Sequence, residues 1–200
     1  MNSYADFNEV LRCCPKGDID KFIEKNIIDV VPFVFDGDEG RYFDFRKRVA
    51  DKFNIDPANV YIVGSGCLGF SYQNGGRAFS LESDIDVAIV DEGLYEQYSR
   101  ILPSYHYDVI HHRIPMRGYQ KKRYYQFIEY FAVGWLRPDK CIDLMNKHPC
   151  MDDWWVYFKS ISYNNSEVGD YKVNAGIYKS MHYLYKYQQI GLLNHRKGII

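Results

Sequence analysis

The chain has 200 residues, of which 46% are hydrophobic, and a formal net charge of −1. This length suits one domain, or one domain with an appendage, and the apolar content excludes a wholly disordered chain. The near-neutral charge excludes a general electrostatic attraction to nucleic acid or anionic membranes, so any such contact would need a local patch.

The N-terminal part of the chain predicts two helices separated by a break. Apolar residues recur at helical spacing over residues 3–12. The segment Pro15–Asp18 interrupts that pattern, because proline and glycine disfavour helix interiors. Asp18 can cap a second helix that continues to about Ile27.

A loop and a longer helix are predicted to follow. Pro32, within the apolar run of residues 30–35, favours a loop or an edge strand over a central strand. Residues 41–53 predict a helix whose apolar side includes Phe43. Residues 56–59 then turn the chain into an apolar strand.

A turn of small residues ends the predicted strand Val60–Val63. The turn contains Gly64 and Ser65, and a short helix is predicted from about Cys67 to Tyr72. A glycine-rich turn between a strand and a helix exposes backbone N–H groups that can bind phosphate oxygens. Gly64 permits close approach of a ligand, and the Ser65 hydroxyl adds a side-chain donor. The pattern therefore predicts a phosphate-binding turn.

Two aspartates stand two positions apart at the start of the next predicted strand. Asp84 and Asp86 point to the same face of a strand, with Ile85 and Val87 on the other face. Two carboxylates this close repel each other, and a divalent cation between them removes the repulsion. Mg²⁺ takes one or two protein carboxylates and completes its shell with water and phosphates. We therefore expect a magnesium site beside the phosphate-binding turn, as in phosphoryl or nucleotidyl transfer.

The remainder of the chain is predicted to be mainly helical. Helices are expected over residues 93–102 and 117–133, separated by a strand over residues 105–110. A further helix carries Trp154 and its neighbours, and the longest helical pattern covers residues 173–193. These C-terminal helices would cover the sheet or form one wall of a nucleotide cleft.

Basic residues supply further candidates for phosphate contacts. Arg77 and Arg100 flank the two motifs and are candidates for contact with triphosphate oxygens. Arg117, Lys121 and Lys122 lie at the start of the helix predicted over residues 117–133. They are either phosphate ligands or, as we favour, the solvated face of an amphipathic helix.

Together, Gly64-Ser65 and Ser83–Ala88 resemble the signature of the polymerase-beta-like nucleotidyltransferase superfamily. That signature is a hydrophobic residue, Gly, Gly or Ser, a spacer, and Asp-hydrophobic-Asp-hydrophobic. The resemblance covers roughly residues 40–92. It implies a small mixed sheet flanked by helices, an NTP substrate, two Mg²⁺ ions, and transfer of a nucleoside monophosphate to RNA, a protein or a small molecule. It assigns catalysis and metal binding to Asp84 and Asp86, and nucleotide binding to the turn.

Two features differ from the family pattern. The spacer between Ser65 and Asp84 is longer than the family usually has. Active members also carry a third carboxylate on a later strand, and the best candidate here is Asp143, followed by Asp108. Without a third carboxylate, the alternative is a catalytically degenerate module that binds a nucleotide or a partner protein.

These patterns predict a single α+β domain with three sections. A helical lead covers residues 1–55, a nucleotidyltransferase-like core covers 56–150, and a helical section covers 151–200. Five cysteines at irregular spacing, without a Cys-x-x-Cys pair, predict reduced thiols in a cytoplasmic protein. The N-terminus lacks a signal-peptide pattern, and no apolar run reaches membrane-span length. The base, the acceptor and the oligomeric state stay open.

Overall fold

The fold is α+β and is built around a small mixed sheet, in a computed structural model that describes residues 3–140 and 149–199. The sheet contains four strands: β1 (Val60–Val63), β4 (Asp84–Val90), β5 (Trp135–Leu136) and β6 (Lys172–Tyr178). A separate hairpin pairs β2 (Phe70–Ser71) with β3 (Arg77–Ala78). The order in the larger sheet is β1-β4-β6-β5.

The central strands β4 and β6 run parallel, and the outer strands are antiparallel to their neighbours. Both central strands are partly exposed near their N-terminal ends and fully buried toward their C-terminal ends. Because the N-terminal ends of parallel strands meet at one edge of a sheet, the exposed polar positions of β4 and β6 lie together. This edge is where the candidate site forms.

Helices surround the sheet and account for most of the chain. The α-helices among the described residues are α1 (Tyr4–Cys13), α2 (Ile19–Ile23), α3 (Glu39–Phe53), α4 (Ser65–Leu68), α5 (Glu92–Ser99), α6 (Leu102–Ile110), α7 (Gly118–Ala132), α8 (Pro149–Ser160) and α9 (Met181–Ile199). Helix α2 continues into a π-helical turn, Glu24–Ile28.

The two ends of the chain pack against each other. His195 and Asn8 share a hydrogen bond of 2.8 Å between α9 and α1, and Arg196 donates to the backbone oxygen of Cys14 at 2.6 Å. Phe7 of α1 also stacks on Tyr72, with ring centroids 5.6 Å apart. The buried apolar side chains form one continuous cluster that extends from α1 to α9. These contacts hold α9 beside the hairpin of β2 and β3.

Several local predictions are confirmed. The strand Val60–Val63 has the predicted bounds, and the helices predicted over residues 3–12, 41–53 and 117–133 match α1, α3 and α7 within two residues. Residues 30–35 contain a short 3₁₀ turn rather than a central strand, as the proline indicated.

Other local predictions are wrong. Residues 105–110 form part of α6 and not a strand. Pro103 does not interrupt this helix, because it lies in the first turn, where its missing N–H costs nothing. The pattern over residues 173–193 divides into strand β6 and helix α9. The helix expected from Cys67 to Tyr72 is limited to the single turn α4. Phe43 is 55% exposed and does not face the core.

Among the described residues, no helix has both the length and the apolar character needed to cross a lipid bilayer.

Candidate functional site: a polar cleft at the sheet edge

A cleft of about 500 Å³ lies at the N-terminal ends of β4 and β6. Its volume falls in the range of small-molecule binding sites. Asp84 and Asp86 of β4 and Lys172 and Asn174 of β6 line it, together with the turn after β1. Helix α9 and the segment after β5 supply other parts of the wall.

The paired aspartates share one face of β4, as the strand period predicted. Asp84 and Asp86 both line the cleft, whereas Ile85 between them is 0% exposed and does not line it. The antiparallel pairing with β1 places Val63 opposite Asp86. A Cβ atom on Gly64 would lie 3.3 Å from Asp86 Oδ2. The structure therefore brings the second carboxylate directly against the glycine turn.

The turn after β1 depends on glycine. Gly64 has φ 67° and ψ −146°, a backbone conformation that residues with a side chain rarely adopt. The backbone N–H groups of Cys67 and Leu68 both donate to Gly64 O, so α4 closes as a single turn. Ser65 follows at the first position of that turn and lines the cleft. The predicted phosphate-binding residues therefore lie beside the carboxylates.

Strand β6 contributes two polar partners for Asp84. Asn174 Nδ2 donates to Asp84 Oδ2 at 2.7 Å, and Lys172 Nζ lies 3.4 Å from the same oxygen. The Lys172 and Asp84 side chains are 50% and 42% exposed, so this ion pair contributes at most about 1 kcal/mol. Their contacts orient the Asp84 carboxylate in the cleft wall.

The donor set fits a hard divalent cation in part. Asp84 and Asp86 offer carboxylate oxygens on one face, and the open cleft leaves room for water and phosphate ligands. Within residues 3–140 and 149–199, no group of three or more His, Cys, Asp or Glu side chains is placed to hold a metal ion. The described protein ligands would therefore be two carboxylates.

The third-carboxylate candidates do not complete this pair among the described residues. Asp108 lies on α6, where it pairs with Arg113 at 3.1 Å, and it does not line the cleft. Its assignment to a strand facing the metal site is wrong, because residues 102–110 are helical. Asp143 lies outside the described residues. On β6, the residue paired with Asp86 is Asn174, an amide.

Among the residues that the structure describes, four basic side chains line the cleft, and one of them, Arg77, was singled out from the sequence. They are Arg77, Arg137, Lys140 and Lys172. Arg77 also pairs with Glu82 at 2.6 Å in an exposed position. These cations would offset the negative charge of a bound phosphate.

The remaining basic candidates lie elsewhere. Arg100 is exposed directly after α5, lies 3.7 Å from Glu96, and does not line the cleft. Arg117, Lys121 and Lys122 are exposed at the start of α7 and do not line the cleft. This location agrees with the favoured interpretation that they form a solvated helix face.

One end of the cleft is aromatic. The Trp135 ring stacks on Tyr178 at 5.7 Å, and Tyr187 of α9 lies 4.6 Å from Trp135 between ring centroids. Trp135 can lie over β6 only because residue 176 is glycine, since a Cβ there would fall 2.4 Å from Trp135 Nε1. We call Tyr72, Trp135, Tyr178 and Tyr187, all of which line the cleft, the aromatic end.

Burial keeps the phenols at this end neutral. It raises the pKa of Tyr178 well above its usual value, with smaller contributions from nearby Tyr187 and Asp86. It also raises the pKa of Tyr187 to about 12. Both hydroxyl groups therefore stay protonated at neutral pH. Both rings line the same cleft as Asp86, so the aromatic end and the carboxylates belong to one site.

The sequence reasoning missed the contribution of β6 to the site. Asn174 falls within the helical pattern predicted over residues 173–193, and Lys172 precedes it, although Val173, Ala175 and Ile177 alternate with period two. That alternation is the signal that could have identified the strand.

No protein-family model, curated protein or solved structure matches this chain.

Proposed function

We propose that the cleft binds a nucleoside triphosphate with Mg²⁺ and transfers its nucleoside monophosphate to an acceptor, in a fold of the polymerase-beta-like nucleotidyltransferase type. One observation carries the proposal: Asp84 and Asp86 line the cleft side by side, and Asp86 lies against the Gly64 turn. A phosphate seat next to a carboxylate pair is the arrangement that nucleotidyl transfer requires. The mixed sheet, with β1 antiparallel and β6 parallel to β4, suits the same assignment.

Each part of the cleft has a role in this proposal. Asp84 and Asp86 would hold the cation, and Gly64 and Ser65 would contact the β- and γ-phosphates. The acceptor hydroxyl oxygen attacks the α-phosphorus, the bond to the β-phosphate oxygen breaks, and pyrophosphate leaves while the hydroxyl proton passes to solvent. Bound Mg²⁺ would supply neutralisation of the phosphate charge. The protein contributes positioning and fixed charge.

A second candidate is nucleotide binding without transfer. The residue that favours it is Asn174, because β6 presents an amide beside Asp86 where the resemblance implies a carboxylate on a later strand. An amide cannot accept the acceptor's proton, and it adds no negative charge to the metal site. In this case the protein would act as a nucleotide sensor or as a partner-binding subunit.

The test for transfer uses the whole chain with Mg²⁺ and each of four α-labelled NTPs. Bulk RNA, the protein itself and a mixture of small hydroxyl compounds serve as acceptors. Transfer predicts label on one acceptor class and release of pyrophosphate. Binding measured by calorimetry without pyrophosphate release would support the second candidate.

Variants assign the activity to the carboxylate pair. Asp86→Asn keeps the side-chain shape and removes the charge, and it should lower transfer by at least 100-fold and weaken binding of the Mg²⁺–NTP complex. Asp170→Asn is the matched control, because Asp170 is exposed and outside the cleft. Wild-type transfer and binding by Asp86→Asn would refute both candidates for this cleft.

A further inference from the structure

Helix α9 carries a polar residue within its buried stripe. Leu184, Gln188 and Leu192 are spaced four residues apart and are 0%, 5% and 0% exposed. An apolar residue is expected at the middle position, because such a stripe faces the core. Gln188 instead lines the cleft, between the two leucines that seal the helix against the protein interior.

The Gln188 amide has no hydrogen-bond partner among the described residues. Its neighbour Gln189, by contrast, contacts both Asp20 and Lys186. Among the described residues, Trp135 Nε1 is the one fully buried side-chain N or O atom without a partner, so the Gln188 amide atoms reach the open cleft. A ligand in the cleft can therefore pair with the amide donor and acceptor.

The surroundings of Gln188 suit a flat ring. Tyr187 precedes Gln188 at the aromatic end. Tyr72, from the β2–β3 hairpin, packs against α9 one turn after Gln188, where its hydroxyl lies 2.7 Å from the position of a Cβ on Gly191. Tyrosine rings stack on nucleobases without strong base preference. The carboxylate pair is close by, since Asp86 lines the same cleft as Tyr178 and Tyr187.

We propose that the aromatic end of the cleft is a nucleobase subsite in which the Gln188 amide hydrogen-bonds the edge of the base. A glutamine amide presents a donor and an acceptor side by side, and nucleobase edges present the complementary pair. The inference rests on the proposed nucleotide binding and extends it, because it identifies the residue that distinguishes a nucleotide from inorganic triphosphate.

The test compares ligands with and without a base. Calorimetry measures Kd with Mg²⁺ for α,β-methylene analogues of ATP, GTP, CTP and UTP, which cannot be cleaved at the transferred bond, and for inorganic tripolyphosphate. Gln188→Met keeps the length of the side chain and removes both polar atoms. It should raise the Kd of the preferred nucleotide about tenfold and leave the Kd of tripolyphosphate within twofold of the wild-type value. Gln189→Met is the matched control and should change neither Kd.

The outcomes separate this inference from the proposed function. If Gln188→Met weakens the binding of the nucleotide and of tripolyphosphate by the same factor, or changes neither Kd, the base subsite is refuted while nucleotide binding stands. If the wild type binds neither ligand, both proposals fail. Gln188→Glu, which retains the acceptor and loses the amide donor, should also weaken the preferred nucleotide. Thermal unfolding checks that each variant is folded.

Discussion

Asn174→Asp would place a third carboxylate beside Asp84 and Asp86 and should make the stability of the fold depend on divalent cations. The new oxygen would take the position of Asn174 Nδ2, which lies 2.7 Å from Asp84 Oδ2. Two unit charges with centres about 4 Å apart repel by about 4 kcal/mol at an effective dielectric constant of 20. Asp84 is 42% exposed and Lys172 lies 3.4 Å away, so screening reduces the penalty. With the lost hydrogen bond, we expect destabilisation of about 2 kcal/mol at pH 8.

The sign of the pH dependence follows from proton uptake. Near pH 4 one of the facing carboxyl groups can be protonated and can donate to the other, so the repulsion disappears. At pH 8 both are charged and the penalty is complete. Mg²⁺ between them offsets it, because a ligand at 100 times its Kd stabilises the folded state by about 2.7 kcal/mol.

Urea unfolding at pH 4 and pH 8, with EDTA or with Mg²⁺, measures these effects. Asn164→Asp is the control, because Asn164 is exposed in the loop before β6 and makes the same change of charge away from the cleft. Asn174→Asp should be less stable than wild type with EDTA at pH 8 and should recover with Mg²⁺. If Asn174→Asp and wild type are equally stable with EDTA at pH 8, or if Mg²⁺ stabilises both by the same amount, the reasoning about this edge of the sheet is refuted.

Two further predictions concern the turn and the buried tyrosines. Gly64→Ala should destabilise the protein by about 2 kcal/mol in urea unfolding, because Gly64 has a φ of 67° and the new Cβ would crowd Asp86. The control is Gly118→Ala, which lies in open space at the start of α7 and should be neutral or stabilising. Unchanged stability of Gly64→Ala would contradict the claim that this turn requires glycine. Alkaline pH should lower stability between about pH 10 and pH 12, because burial raises the pKa of four tyrosines to about 12 in the folded state, while unfolding restores their ordinary pKa of about 10. Stability from this source is therefore complete below pH 10 and is lost as the pH rises; urea midpoints that stay constant from pH 9 to pH 11.5 would contradict it. The four tyrosines are Tyr42, Tyr95, Tyr157 and Tyr187.

Local patterns were sufficient for the first half of the site. The apolar run Val60–Val63 and the glycine after it identified β1 and its turn, and the period of two fixed which face Asp84 and Asp86 share. These inferences use only neighbours in the chain, where backbone geometry determines side-chain direction. The α+β class is also confirmed, as is the small mixed sheet that the family resemblance implied.

The partner of the carboxylate pair was decided by tertiary structure. Strand β6 pairs with β4 from 88 residues away, and its register sets Asn174 opposite Asp86. Its apolar alternation is short and runs directly into the helical pattern of α9, so the two merge in the sequence. Parallel pairing of distant segments leaves no local signal, because the hydrogen bonds that fix the register exist only after the core has formed.

The inner wall of the cleft was also decided by tertiary structure. The sequence determined that Gln188 lies in a helix, whereas only the packing of α9 against the sheet and the β2–β3 hairpin decided that it is buried beside Tyr72 and Tyr187. A helix has a buried face only with respect to a partner surface, and α9 contacts α1, α2, β4 and β6, which lie in distant parts of the chain. The sequence thus determined the carboxylates and the turn, and the tertiary contacts determined what stands opposite them.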